Sequence, residues 1–207
     1  WRDGAVLCPL ERPERDRGLL PSLVDLPAGA CHLKLTSGSS GGARLVAFSA
    51  GALAADARKI VATMGLRPEW PNLGVISMAH SYGFSNLVLP LLLHGIPLVW
   101  LGDPLPGAMA RQLGNPPGGV DGWTLPAVPA MWRVWHESGI LEGAPIRLAI
   151  SAGAPLPVEL ERAIHGASGL KVHNFYGSSE CGGIAYDRSD EPREASDFAG
   201  TAIAETD

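Results

Sequence analysis

From Leu33 onward the chain alternates short apolar runs of strand length with stretches whose apolar residues recur at helical spacing, and that alternation is the strongest constraint on its fold. The apolar runs cover 33–35, 44–48, 74–78, 96–101, 122–125, 146–151 and 171–175. Between them, Leu53, Ala57, Ile60, Val61 and Met64 form one stripe. It lies behind Ser49, whose hydroxyl suits a helix N-cap, and ahead of Gly65, a natural stop. Segment 84–94 is apolar nearly all round, so a helix there is expected to be buried, with Pro90 kinking it. Segments 129–138 and 157–165 each open with proline, which fits a first helical turn. Alternating strand and helix predict an α/β fold, a mostly parallel sheet with helices on both faces. The Gly/Pro-rich stretch 114–122 reads as a surface loop. The residues before Leu33 are rich in proline and charge without periodicity, so 1–32 reads as a connector or edge segment and 33–207 as the domain.

Composition removes several function classes. A chain of 207 residues, 46% hydrophobic and 18% charged, supports one globular core or slightly more. With 16 basic against 21 acidic residues and no run of Lys or Arg, it lacks the electrostatic footprint of a nucleic-acid binder. The longest apolar stretch, 87–93, falls far short of the roughly 20 residues that cross a bilayer, so no transmembrane segment is expected. Cys8, Cys31 and Cys181 are odd in number and form no CxxC pair, which argues against a disulfide framework or zinc site and for a reducing, cytoplasmic setting. The chain opens at Trp1 and closes at Asp207 in a stretch that reads as unfinished, so a fragment incomplete at both ends is expected.

In open parallel sheets ligands collect beyond the carboxyl ends of the strands, which directs attention to the loops there. After 33–35 comes Thr36-Ser37-Gly38-Ser39-Ser40-Gly41-Gly42, then Ala43-Arg44. Glycines let successive backbone N–H groups face one point, hydroxyls add donors and Arg44 adds charge, which is how a chain wraps a polyphosphate. A flexible Gly/Ser linker is the plainer alternative, although apolar strands on both sides are unusual for one. The GxxxxGK[ST] loop is excluded, since no Lys-Ser or Lys-Thr follows the second glycine. After 146–151 comes Ala152-Gly153-Ala154-Pro155-Leu156-Pro157, where small residues allow close approach by a flat ligand or simply make a strand-to-helix turn. After 171–175 comes Asn174-Phe175-Tyr176-Gly177-Ser178-Ser179-Glu180. It offers an aromatic face, hydroxyls for phosphate oxygens and a carboxylate able to hold Mg²⁺, a hard cation that prefers oxygen ligands. Each feature has a structural explanation alone; together they describe a Mg-nucleotide site.

These residues resemble the adenylate-forming superfamily of acyl- and aryl-CoA ligases, luciferases and peptide-synthetase adenylation domains, over roughly residues 33–203. Thr36-Ser37-Gly38-Ser39-Ser40-Gly41 is similar to that family's phosphate loop, Gly153-Ala154-Pro155 to its adenine-contacting turn, and Tyr176-Gly177-Ser178-Ser179-Glu180 to its Tyr-Gly-x-Thr-Glu motif. Two departures stand out. Ala43-Arg44-Leu45 replaces the usual Pro-Lys-Gly, keeping a positive charge in a different geometry, and Ser179 replaces the usual Thr with the hydroxyl retained. The family's ribose-binding aspartate, its hinge, its small C-terminal domain with the catalytic lysine and its N-terminal subdomain have no counterpart in these residues.

The resemblance implies that a carboxylate attacks the α-phosphorus of ATP, releasing pyrophosphate, and that the acyl-adenylate passes to the thiol of CoA or a carrier protein. It implies that Thr36, Ser37, Gly38, Ser39, Ser40 and Gly41 hold the β- and γ-phosphates with Arg44 in support. Glu180 would hold Mg²⁺, Ser179 would reach the α-phosphate, and Tyr176 would stack on adenine beside Gly153 and Ala154, with Pro155, Asn174, Phe175 and Gly177 completing the site. His80 and Tyr82, in His80-Ser81-Tyr82-Gly83-Phe84, correspond to the acid pocket, with a structural histidine the alternative for His80. The apolar character of 84–94 implies an uncharged aliphatic or aromatic acid, and the absent C-terminal domain is the implied partner. Trp100, Trp123, Trp132 and Trp135 line an apolar cavity or fill the core, the commoner use. His165 and His173 receive no role, and Cys181 reads as an inert packed thiol. Two other classes are weighed: a non-catalytic nucleotide-binding or scaffolding fragment, which keeps the fold without turnover, and a serine hydrolase, against which stands the absence of GxSxG around Ser39, Ser40, Ser178 and Ser179.

Overall fold

The computed structural model describes residues 4–20, 25–36 and 44–203; the phosphate-loop residues Ser37, Gly38, Ser39, Ser40, Gly41, Gly42 and Ala43 therefore lie outside the described residues. A short helix α1 (Pro13–Asp16) and a 3₁₀ turn (Arg17–Leu19) precede β1 (Ala30–Thr36) and β2 (Arg44–Ser49). Then follow α2 (Ala50–Met64), β3 (Asn72–Gly74), α3 (Ser81–Gly83), a π-helical turn (Phe84–Val88), α4 (Leu89–His94) and β4 (Leu98–Trp100). The second half holds α5 (Pro106–Leu113), β5 (Trp123–Ala127), α6 (Pro129–Glu137), β6 (Ile146–Ser151) and α7 (Val158–Ser168). It ends with β7 (Val172–Ser178), β8 (Gly182–Tyr186) and β9 (Thr201–Ala202).

The main sheet has seven strands in the order β4-β3-β5-β6-β7-β8-β9. Neighbours from β4 to β7 are parallel, and β8 and β9 add antiparallel. The α/β expectation holds for this sheet, with one correction. The runs at 33–35 and 44–48 are not members of it; β1 and β2 pair with each other antiparallel, with Thr36 facing Arg44 at the end nearest residues 37–43. Residues before β1 join this ribbon, because Leu7 N donates to Cys31 O at 3.0 Å and Leu33 N to Leu7 O at 2.8 Å.

Local chemistry explains the helices. Ser49 caps α2, its Oγ accepting from Ala52 N at 3.2 Å, a contact worth about 1 kcal/mol. Gly65 ends the helix at φ 66°, a left-handed angle that glycine adopts without cost. Leu53, Ala57, Ile60 and Met64 are its buried stripe.

Segment 84–94 differs from the expected buried helix. Pro90 has no N–H for the carbonyl of Asn86, and the preceding turn widens to a π-helix. Asn72 Nδ2 donates to that Asn86 carbonyl at 3.4 Å, satisfying it in a buried place. Only the first half is enclosed; Leu91, Leu92 and Leu93 are exposed.

Trp123, Trp132 and Trp135 are core residues, each indole N–H bonded to a carbonyl, of Leu113, Ile150 and Pro104 respectively, while Trp100 is half exposed. Stretch 114–122 is irregular, as expected. Run 96–101 shortens to β4, whereas the strand expected at 74–78 lies earlier, as β3, and shares only Gly74 with that run; Val75 and Ile76 lie beyond it and stay buried.

Candidate active site

β4 and β5 flank β3 on opposite sides, so the chain reverses its direction of progress across the sheet at β3. Beyond the carboxyl ends of strands at such a reversal the connecting segments separate and leave a crevice. Here that crevice is built from residues following β3, β5 and β6 and from the end of β7, and it divides into three adjoining cavities.

The largest, about 360 Å³, lies between Gly153, Ala154, Pro155 and Leu156 on one side and Asn174, Phe175, Tyr176 and Gly177 on the other, with Arg193, Ser196 and Ala199 closing it. Gly153 sits at φ 83°, and Tyr176, which lines this cavity, is 52% exposed. A second cavity of about 140 Å³ is lined by His80, Ser81, Tyr82, Ser85 and Asn86 facing Gly177, Ser178, Ser179, Gly182 and Gly183. A third of about 260 Å³ adjoins it at His80 and Tyr82, with Val75, Ile76, Val128 and Met131 as apolar walls and Glu11 on its lining. Gly153 borders all three.

The structure thus brings together Gly153, Ala154, Pro155, Asn174, Phe175, Tyr176 and Gly177 around one cavity, and His80, Tyr82 and Ser179 around its neighbour. Thr36, Arg44 and Glu180 line none of the three. Tyr176, Gly177 and Ser178 are strand residues at the end of β7 rather than a loop, and Glu180 follows in the exposed turn to β8. Thr36 and Arg44 mark the two ends of residues 37–43. Cys181 is exposed, correcting the packed thiol.

Individual side chains are set by local partners. Ser81 Oγ donates to Ser179 Oγ at 2.8 Å, across 98 residues of sequence, which leaves the Ser179 proton free to donate into the cavity. His80 Nδ1 accepts from Tyr82 N at 3.3 Å, so the proton of a neutral ring sits on Nε2. The Tyr82 hydroxyl points at the carbonyls of Ile150 (3.4 Å) and Ala127 (3.5 Å), and burial pushes its pKa well above the ordinary phenol value. Tyr82 therefore lines the cavities with its ring and is not an acid or base there. Of the apolar segment 84–94, the residues lining the second cavity are two polar ones, Ser85 and Asn86. That wall is not the greasy one its composition suggested.

Sequence reasoning missed the buried ionic cluster behind the largest cavity. Glu161 on α7 is fully buried. Its carboxylate accepts from Lys171 Nζ, from Arg193 Nε at 2.8 Å and from Arg193 N at 3.1 Å. Lys171 also reaches Asp187 at 2.6 Å. Burial pushes the Asp187 carboxyl up, but hydrogen bonds from Lys171 and Ser189 outweigh it and hold the pKa below the ordinary value. Arg193 further donates to Leu156 O at 2.6 Å and Phe198 O at 2.9 Å, tying the cavity's outer wall to the turn after β6. His173, given no role above, contacts Asp187 O through Nδ1 at 2.9 Å, and burial lowers its pKa. Among the described residues no group of three or more His, Cys, Asp or Glu is arranged to hold a metal ion, and no helix is long and apolar enough to cross a membrane.

A family model described as AMP-binding enzyme matches residues 27–207. Solved structures share the fold. The structure of apo MatB from Rhodopseudomonas palustris is 20% identical, with a TM-score of 0.73 over 89% of this chain and 36% of its own. A malonyl-CoA ligase, in a ternary product complex with methylmalonyl-CoA and AMP, is 22% identical, with a TM-score of 0.72 over 89% of this chain and 40% of its own. The o-succinylbenzoate coenzyme A synthetase MenE from Bacillus subtilis, in complex with AMP, is 20% identical, with a TM-score of 0.69 over 85% of this chain and 44% of its own. The chain thus spans less than half the length of these relatives. No curated protein matches at a significant level.

Proposed function

The chain belongs to the AMP-binding enzyme family, and on that premise we propose that it carries the nucleotide platform of an enzyme that activates a carboxylic acid with ATP. The observation that carries this reading is the run of adjoining cavities around Gly153. A slot floored by small residues and faced by Tyr176 suits an adenine ring, and it shares Gly153, Phe175 and Gly177 with a polar cavity containing the free donor of Ser179. A nucleotide lying across the slot places its α-phosphate at that donor and leaves the second cavity for the acid. The carboxylate attacks the α-phosphorus, and pyrophosphate departs toward residues 36–44. Such chemistry asks for positioning and charge neutralisation more than for covalent participation by the protein.

Arg44 and the hydroxyls and N–H groups of Thr36, Ser37, Gly38, Ser39, Ser40 and Gly41 neutralise the leaving group in this reading. Mg²⁺ needs few protein ligands when phosphates supply the rest, so the exposed Glu180 carboxylate suits it without a dedicated cage. When bound, the ion neutralises charge on the phosphates. His80, with its Nε2 proton, and the Tyr82 ring position the acid. The apolar third cavity gives the thiol of CoA or a carrier protein a route to the acyl carbon.

Acid-dependent exchange of labelled pyrophosphate into ATP tests the reading, using the chain with its natural flanking sequence and a panel of carboxylic acids. Exchange with at least one acid is expected. AMP binding without exchange from any acid would instead fit the non-catalytic nucleotide-binding reading.

A further inference from the structure

Lys34 lies on β1 with its side chain enclosed, 4% exposed. Its ammonium donates to Ser85 Oγ at 3.2 Å and lies 4.6 Å from the Phe48 ring centre and 6.0 Å from that of Phe84. Burial lowers its pKa against an opposing pull from Asp56. No ion pair to Lys34 is formed among the described residues. Enclosing an unpaired ammonium is costly, and two aromatic faces recover only part of that cost. The cost calls for a further partner, and the geometry shows where one fits.

Ser85 is also a wall of the 140 Å³ cavity. Its oxygen is occupied by Lys34, so its proton points elsewhere, and no described residue accepts it. The cavity thus meets, beside Asn86, a hydroxyl donor polarised by a full positive charge. Ser85 lies one helical turn beyond Ser81, about 6 Å along the axis at 1.5 Å per residue. Ser81 in turn holds Ser179, the α-phosphate group of the proposed reaction. Two polar groups about one helical turn apart therefore line the same cavity.

We propose that the acid activated here carries a second carboxylate, received by Ser85 with the buried Lys34 ammonium behind it, so that this pair determines specificity. The proposal rests on the reading of this cavity as the acid site. A carboxylate, unlike a neutral acceptor such as a ketone, compensates the enclosed charge. The one-turn separation of Ser81 and Ser85 favours a short diacid over a long one. Ser85 touches the substrate; Lys34 acts through it as a positioning residue.

The test compares succinate, glutarate and adipate with 4-methylpentanoate, 5-methylhexanoate and 6-methylheptanoate, in which an isopropyl group replaces the second carboxylate at nearly equal shape. Pyrophosphate exchange should favour one diacid over its partner in kcat/KM. Lys34→Met should cut that ratio about 10-fold to 100-fold, the range of one charge-assisted hydrogen bond, chiefly through KM. Ser85→Ala should shift it in the same direction, and because it deletes one oxygen it carries the test if Lys34→Met does not fold. Preference for the branched monoacids, or a ratio unchanged in both variants, overturns the proposal. If no acid supports exchange, the functional reading fails separately. The proposal is then judged on acid-induced thermal stabilisation, where equal effects of diacid and branched partner overturn it.

Discussion

Changing Glu161 to Gln should loosen the outer wall of the largest of the three cavities, the proposed nucleotide slot, while leaving the sheet in place. The carboxylate accepts three hydrogen bonds inside the protein, two from Arg193 and one from Lys171. Gln is nearly isosteric, yet one of its two polar ends is a donor and must face groups that only donate. Breaking a buried ion pair from one side costs about 3–5 kcal/mol. Lys171 keeps Asp187, and Arg193 keeps the carbonyls of Leu156 and Phe198, so the lower end, about 3 kcal/mol, is expected. For a domain of this size that is a fall of about 6–12 °C in Tm.

The loss should be local in origin. Stretch 188–200 is anchored by Arg193, by Arg162 donating to Arg193 O at 3.2 Å and Glu194 O at 3.3 Å, and by Asn174 Nδ2 donating to Ala199 O at 3.1 Å. Hydrogen exchange should accelerate there and not in β5 or β6, and AMP should bind more weakly, because Arg193, Ser196 and Ala199 line its slot. Urea unfolding followed by tryptophan fluorescence reads the global cost. In a double-mutant cycle, Glu161→Gln and Arg193→Met should overlap by about 1–3 kcal/mol instead of adding. A loss below about 1 kcal/mol, or strict additivity, would refute the claim that this cluster holds the wall.

Three further outcomes are expected. His32 is fully buried against Phe84, with both ring nitrogens unpaired and its pKa lowered to about 4 by burial and then by Lys34. As a base with a depressed pKa it favours the folded state above its ordinary value of 6.5, and that contribution, about 3 kcal/mol, is lost as pH falls from 6.5 toward 4; His32→Phe should flatten this limb of the urea midpoint, and parallel profiles would contradict the assignment. Gly177→Ala places a Cβ 2.7 Å from the carbonyl oxygen of Gly182, so β7 and β8 must separate, and AMP titration should show weaker binding alongside a stability loss of about 1–3 kcal/mol. Glu180→Gln should slow adenylation about 10²-fold, equivalent to about 3 kcal/mol, with little change in fold or ATP affinity; a normal rate and normal magnesium midpoint would remove Glu180 from the site.

Most of the fold was legible because its signals are local. Ser49 and Gly65 bound α2 with adjacent residues, and 146–151 coincides with β6, a buried strand readable from its apolar run. The sheet's antiparallel end was not legible, since β8 is glycine-rich and β9 has only two residues. Helix α5 was hidden by a short segment containing Pro106 and Gly107. Among site residues, the motif positions around Gly153 and Tyr176 line one cavity, because each motif sits at a strand end on the same edge of the sheet. Ser81 and Arg193 were missed for a different reason: their partners lie 98 and 32 residues away, and no local pattern encodes such a distance.

The ribbon β1 shows how a local rule can be right and its consequence wrong. Alternation along a strand puts His32, Lys34 and Thr36 on one face, and a face so polar reads as solvent-facing. His32 and Lys34 are instead enclosed, the first stacked on Phe84 and the second reaching Ser85, both from segment 84–94. That segment is itself misread by composition, since it turns Ser85 and Asn86 toward the cavity and Leu91, Leu92 and Leu93 outward. The two exceptions are one arrangement: a polar strand face is tolerable inside only where a polar stretch of helix meets it. Buried polar groups without a full set of partners are costly; here His32 stacks on Phe84 and the unpaired Lys34 charge meets Ser85, while Asn86 lines the adjoining cavity together with Ser85. Such costs concentrate where a ligand can offset them, and this is the ground on which the β1 face against the π-helical turn is proposed to set substrate preference.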